Sequence, residues 1–143
     1  MGRAQPAVSA VVDTNVVAYY LLATEPFIDE VSAFWRQVSE VFAPASWEVE
    51  LVNVLWLAIR AQVLDLAQAQ HRLELARQLG ISSTPVCDLW TSALALAAAS
   101  GQPAYDTVFV ELALRLEVPL VTFDRRLLDA FPQVARRPGA VAT

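Results

Sequence analysis

Four acidic residues stand at places where an acid needs a reason. Asp13 interrupts the apolar run VVDTNVVAYY, Val11 to Tyr20, and Asp124 directly follows PLVTF, 119–123. Asp106 opens DTVFVELALRLE. Glu50 lies in PASWEVELVNVLWLAIR, beside an apolar surface of Trp47, Leu51, Val54, Leu55 and Ala58, with Asn53 three residues on and on the same helical face. Carboxylates could do two kinds of chemistry here: hold a hard cation through oxygen, or move protons. They also have plain structural uses. An Asp at a helix start accepts backbone N–H bonds, and a Glu at the border of an amphipathic face is an ordinary solvated charge, within reach of an Arg such as Arg60. For each residue taken alone, both readings stand.

The rest of the composition removes competitors. All ten basic residues are Arg, so the Lys of a P-loop is missing, and so is the Lys that normally accompanies an aspartyl-phosphate site. Gly2, Gly80, Gly101 and Gly139 are the only glycines, which rules out a GxGxxG dinucleotide loop. Cys87 is the only cysteine and His71 the only histidine. No internal disulfide, thiolate zinc site or His-rich metal site can be built from them, and a reducing cytoplasm is compatible. His71 reads as a surface residue, and Cys87 as a small core or near-surface one. The net charge of −5 and a pI of about 4.7 argue against nucleic-acid binding by bulk charge alone.

The elements that must position the acids follow from pattern. At 143 residues the chain is read as one domain over 1–143, with a core of about 8–136 and frayed ends at 1–5 and 138–143. VSAVV, VFAP and PLVTF are short buried strands, ISSTPVC is extended, and a last strand is expected near Val134–Ala135. Helices alternate with them: from Thr14, from about Phe27, over about 46–62 and 66–79, from Asp88, from Asp106 and from Asp124. Trp35, Trp47, Trp56 and Trp90 fall at helical positions and read as core. Alternation of this kind means an α/β domain with a mostly parallel sheet. In such sheets ligands sit outside the carboxyl ends of the strands, where Asp13 and Asp124 are placed. Hydrophobic residues make up 56% of the chain and mean hydropathy is +0.43. No uncharged run reaches the ~18–20 residues of a membrane span, and the start, MGRAQPAVSAVVD, has no adequate hydrophobic region for a signal peptide. The apolar surplus suits contact with another protein chain.

Taken in order, DTNVV, PxxWxxExxNxL (Pro44, Trp47, Glu50, Asn53, Leu55), YDTVFVELAL (Tyr105 to Leu114) and PLVTFDRRL (Pro119 to Leu127) resemble the PIN-domain family, and most of all its VapC-type toxin ribonucleases. The resemblance spans residues from about 8 to 130. It implies a three-layer α/β/α domain with a short, mostly parallel central sheet. It implies an acidic pocket of Asp13, Glu50, Asp106 and Asp124, with accessory polar roles for Thr14, Asn15, Asn53 and Thr122. It also implies a cytoplasmic, metal-dependent endoribonuclease acting as the toxin of a toxin–antitoxin pair, with a homodimer and an antitoxin as partners.

The chemistry agrees with that set. Converging carboxylates repel unless a cation neutralises them, and their oxygens suit Mg²⁺ or Mn²⁺. Asp13, Asp106 and Asp124 would form the main metal cluster. Glu50 would complete it, or orient and deprotonate the attacking water. Thr14, Asn15 or Thr122 would hydrogen-bond the ligand carboxylates or metal waters. Arg125 and Arg126 are the nearest candidates for RNA phosphate contacts, and a solvated helix face accounts for them equally well. A catalytically silent RNA- or protein-binding module and a housekeeping RNA-processing nuclease are the other readings. Phosphotransfer through Asp13 is disfavoured by the missing Lys.

Overall fold

Strand β1, Ser9–Val12, is the centre of the molecule, because Ala10, Val11 and Val12 are completely buried. A strand covered on both faces has no use for polar alternation, which is why it reads as a continuous apolar run. The computed structural model describes residues 7–141; the fraying expected at residues 1–5 lies outside them.

Five parallel strands form one sheet in the order β3-β2-β1-β4-β5. The others are β2, Glu40–Pro44; β3, Ser82–Thr84; β4, Leu120–Val121; and β5, Ala135–Arg136. Val11 pairs with Phe42 on one side and Leu120 on the other. The chain builds outward from β1 through β2 to β3, then returns to the opposite side of β1 for β4 and β5. The strand order therefore reverses between β1 and β4, which is where such sheets leave a crevice.

Helices cover the sheet: α1, Thr14–Leu21; α2, Ile28–Gln37; α3, Trp47–Arg60; α4, Leu66–Gln78; α5, Trp90–Ser100; α6, Ala104–Leu116; α7, Arg125–Ala130; and α8, Pro138–Val141. Helix α6 packs on β1, β2 and β4 and carries α5 on its outside, while α1 packs against α2, α3 and α4. The fold is the α/β/α arrangement expected from the sequence.

Four details differ from the sequence reading. Asp106 does not cap α6: Pro103 precedes the helix, and Asp106 is its third residue. Pro suits that place because the first turn needs no N–H partner there. Asp88 closes a 3₁₀ turn, Val86–Asp88, and does not cap α5. Residues 138–141, expected to fray, form α8 with Pro138 buried. Trp35 and Trp47 pack into the core as expected, but Trp56 and Trp90 are exposed, on the outer face of α3 and the first turn of α5.

Candidate active site

Asp13 leaves β1 at its carboxyl end, and its backbone N–H donates to the Val121 carbonyl of β4 at 2.9 Å. The sheet ladder thus carries this acid to the reversal of strand order. Both of its oxygens are engaged. Oδ1 accepts from the Thr14 N–H at 2.8 Å, and Oδ2 from the Thr122 hydroxyl at 2.8 Å and the Asn15 amide at 3.4 Å. The cap and the site are one structure: the bond to Thr14 starts α1 while aiming the carboxylate at the cleft. Asp13 is only 8% exposed. Burial pushes its pKa up to about 6; the bonds from Thr122 and Thr14 oppose this, and the charges of Asp106 and Asp124 add to it.

Asp124 begins α7 and accepts from the Arg126 N–H at 2.9 Å. The Asp124 N–H donates to the Thr122 hydroxyl at 2.9 Å. Thr122, completely buried, therefore joins the two acids. Asn15 adds a second tie, with its side-chain oxygen accepting from the Phe123 N–H at 3.3 Å.

Glu50 comes from the first turn of α3, and Asp106 from the first turn of α6. Asp13, Glu50, Asp106 and Asp124 all line one open cleft of about 620 Å³, with Thr14, Asn15, Asn53 and Tyr19 beside them. Of the residues expected at the site, Thr122 supports the cleft from below, and Arg125 is exposed and makes no ion pair among the described residues. Arg126 is different from both. Its Nη2 lies 3.0 Å from Asp124 Oδ2 and 3.5 Å from Asp106 Oδ2.

The electrostatics divide the acids. Burial and then the negative charge of Asp13 raise Glu50 to about 7, with the dipoles of the Thr14 and Ser46 hydroxyls offsetting a part. Burial raises Asp106, and Arg126 only partly reverses this. Asp124, closer to Arg126, is held below its ordinary value by that guanidinium. Glu50 Oε1, Thr14 Oγ1 and Ser46 Oγ are buried without a hydrogen-bond partner. Ser46 does not stand out in the sequence as a site residue. Its place before α3 suggests a cap, yet its side chain caps nothing.

Among the described residues, no three His, Cys, Asp or Glu side chains stand already gathered as a metal-holding group. The donor chemistry nevertheless fits a hard divalent cation. The donors are all oxygen, and three of the four acids have raised pKa values, of which Asp13 and Glu50 have no cationic side chain paired with them among the described residues. Asp13, Glu50, Asp106 and Asp124 are the residues that could hold such an ion.

A parallel sheet of order 3-2-1-4-5 with an acidic cleft at its switch point defines a PIN-like domain. The sequence profile of the PIN domain matches residues 10–135, and the chain belongs to the PIN-domain family, whose members are generally nucleases. Solved structures agree at the level of fold. PAE2754 from Pyrobaculum aerophilum has a TM-score of 0.73 at 21% identity, with 97% of this chain and 96% of that chain covered. A toxin–antitoxin complex from Klebsiella pneumoniae has a TM-score of 0.64 at 17% identity, with 90% and 97% covered. VapBC2 from Rickettsia felis, bound to a DNA fragment from its promoter, has a TM-score of 0.63 at 10% identity, with 91% and 98% covered. A comparison with curated proteins gives no match. Among the described residues no helix is long and apolar enough to cross a membrane.

Proposed function

We propose that the chain is a divalent-metal-dependent endoribonuclease, acting in the cytoplasm as the toxin of a toxin–antitoxin pair. One observation carries the reading. Four carboxylates from four different elements line a single cleft at the reversal of strand order. Membership of a nuclease family supports it, and the toxin assignment draws on the likeness in fold to two toxin–antitoxin assemblies.

Bound Mg²⁺ or Mn²⁺ would polarise the RNA phosphodiester and acidify a water, and would reconcile an acidic cleft with an anionic substrate. Asp13, Asp106 and Asp124 would hold it. Thr122, Thr14 and Asn15 fix the Asp13 carboxylate in one orientation, so the ligand needs no rearrangement to serve. Glu50, in the first turn of α3 and lining the cleft, would orient the attacking water and accept its proton. The exposed apolar side chains of α3 and α5, among them Val52, Trp56, Trp90 and Leu94, would serve a homodimer or an antitoxin.

The test is cleavage of a mixed pool of structured RNA by purified, partner-free protein in Mg²⁺, Mn²⁺ or EDTA. Metal-dependent cutting is expected, with loss of at least about 10²-fold in a folded Asp13→Ala, Asp106→Ala double variant. Well-folded protein that neither cuts RNA nor binds metal would make the domain a binding module instead.

A further inference from the structure

Arg126 pairs with two of the four acids that line the cleft. It meets Asp124 as a fork, Nε to Oδ1 at 3.4 Å and Nη2 to Oδ2 at 3.0 Å, while the same Nη2 reaches Asp106 Oδ2 at 3.5 Å. Its own N–H also bonds Asp124, so the side chain is anchored at its root. A guanidinium spanning two carboxylates from different helices does what a cation in the cleft would do. It screens their repulsion and holds them at one spacing.

We infer that Arg126 is the resident counter-cation of the cleft, a positioning residue that competes with the divalent ion for Asp106 and Asp124 and so sets the ion concentration at which the site fills. The inference rests on the nuclease reading above. Arg126 engages both Asp124 oxygens and one Asp106 oxygen, and a carboxylate oxygen gripped by a guanidinium is a poorer metal ligand, so an ion that took these carboxylates would compete with it. The competition has a built-in release. The Arg126 side chain is 61% exposed, against 17% for Asp106 and 21% for Asp124. The acids stay fixed while the Arg can swing into solvent. An Arg does this where a Lys would not, because its fork engages both Asp124 oxygens and it never loses its charge. Once displaced it remains at the mouth of the cleft, tethered by α7, where an RNA phosphate arrives. Arg125 is the natural control: it is the neighbouring residue with the same charge, and it touches neither acid.

The experiment is calorimetric titration of the full chain with Mn²⁺, stripped of metal beforehand, for the wild type and for Arg126→Gln, Arg126→Lys and Arg125→Gln. Melting in EDTA is recorded alongside. Partly exposed ion pairs have modest strength, so Arg126→Gln should tighten Mn²⁺ roughly two- to ten-fold. Arg126→Lys should fall between it and the wild type, and Arg125→Gln should stay within about two-fold of the wild type. Arg126→Gln should also melt lower in EDTA and recover when Mn²⁺ is added. Equal Mn²⁺ affinity in Arg126→Gln and the wild type overturns the inference and leaves the nuclease reading standing. So does an equal gain in Arg125→Gln, which would mean bulk charge. Absence of Mn²⁺ binding in every chain overturns both.

Discussion

At the scale of residues, Thr122 is the smallest part with the widest influence. One hydroxyl donates to the Asp13 carboxylate and accepts from the Asp124 backbone, so it holds the Asp13 side chain and ties it to the start of α7. The cleft is also a stored instability. Asp13 at about 6 and Glu50 at about 7 are both raised by burial. An acid whose folded pKa lies above its unfolded value binds protons more tightly in the native state. Stability is then full below the unfolded pKa, near 4, and is lost as pH rises through the folded value. Metal-free protein should therefore be less stable at about pH 7.5 than at about pH 5. Glu50→Gln should raise its stability at the higher pH by about 1–2 kcal/mol, after allowing for partial solvent access, while abolishing cleavage. Urea denaturation in EDTA at both pH values measures this, and an unchanged pH dependence in the variant would sink it. The acids themselves were legible in the sequence, because a charge at the end of an apolar strand is costly to bury unless it caps a helix or holds a cation. For Asp13 and Asp124, capping and access to the cleft coexist: each caps its helix and faces the cleft. The grip of Arg126 was not legible, since an Arg two residues after an Asp fits a solvated face equally well.

At the scale of elements, the C-terminal segment is held by one carboxylate. Glu30 of α2 accepts from Arg137 Nη2 at 2.7 Å and Nε at 3.2 Å, and from the Gly139 N–H at 3.0 Å. Arg137 in turn lies over the ring of Phe123, 5.1 Å from its centre, and Phe123 packs with Phe27 and Tyr19 beside the cleft. Arg137 is what holds Glu30 below its ordinary pKa, so this contribution is present at neutral pH and fades as acid protonates Glu30. Arg137→Ala should cost about 1 kcal/mol at neutral pH and speed amide exchange over residues 139–141, with β1 unaffected. Unaltered exchange in α8 would show that the helix stands without the clamp. The long helices and buried strands were readable, because fourteen residues of α3 or a wholly apolar strand leave a clear period. A four-residue helix leaves none, and Glu30, which accepts from Gly139 of α8, lies 109 positions away in the chain.

At the scale of the whole molecule, charge is spent internally. The chain carries ten Arg against fifteen acids, and Arg77, Arg115, Arg126 and Arg137 are already paired. With acids in excess and a net charge of −5 there is little bulk positive charge for a basic track, so RNA binding should depend weakly on salt. The slope of log K against log salt should be no steeper than about −2. Filter binding of the catalytically inactive Asp13→Ala, Asp106→Ala variant between low and moderate salt measures it; a steep slope would reveal a basic groove assembled from two chains. The Thr122–Asp13 bond has one more consequence, for the time at which the protein comes into being. The two residues are 109 positions apart, and chains are made from the N-terminus onward. Asp13, the first of the acids to leave the ribosome, must wait for nearly the entire chain before Thr122 can hold it in place. A copy interrupted before β4 lacks both the hydroxyl that holds Asp13 and the acid Asp124, so the cleft is assembled only once residue 124 has been made.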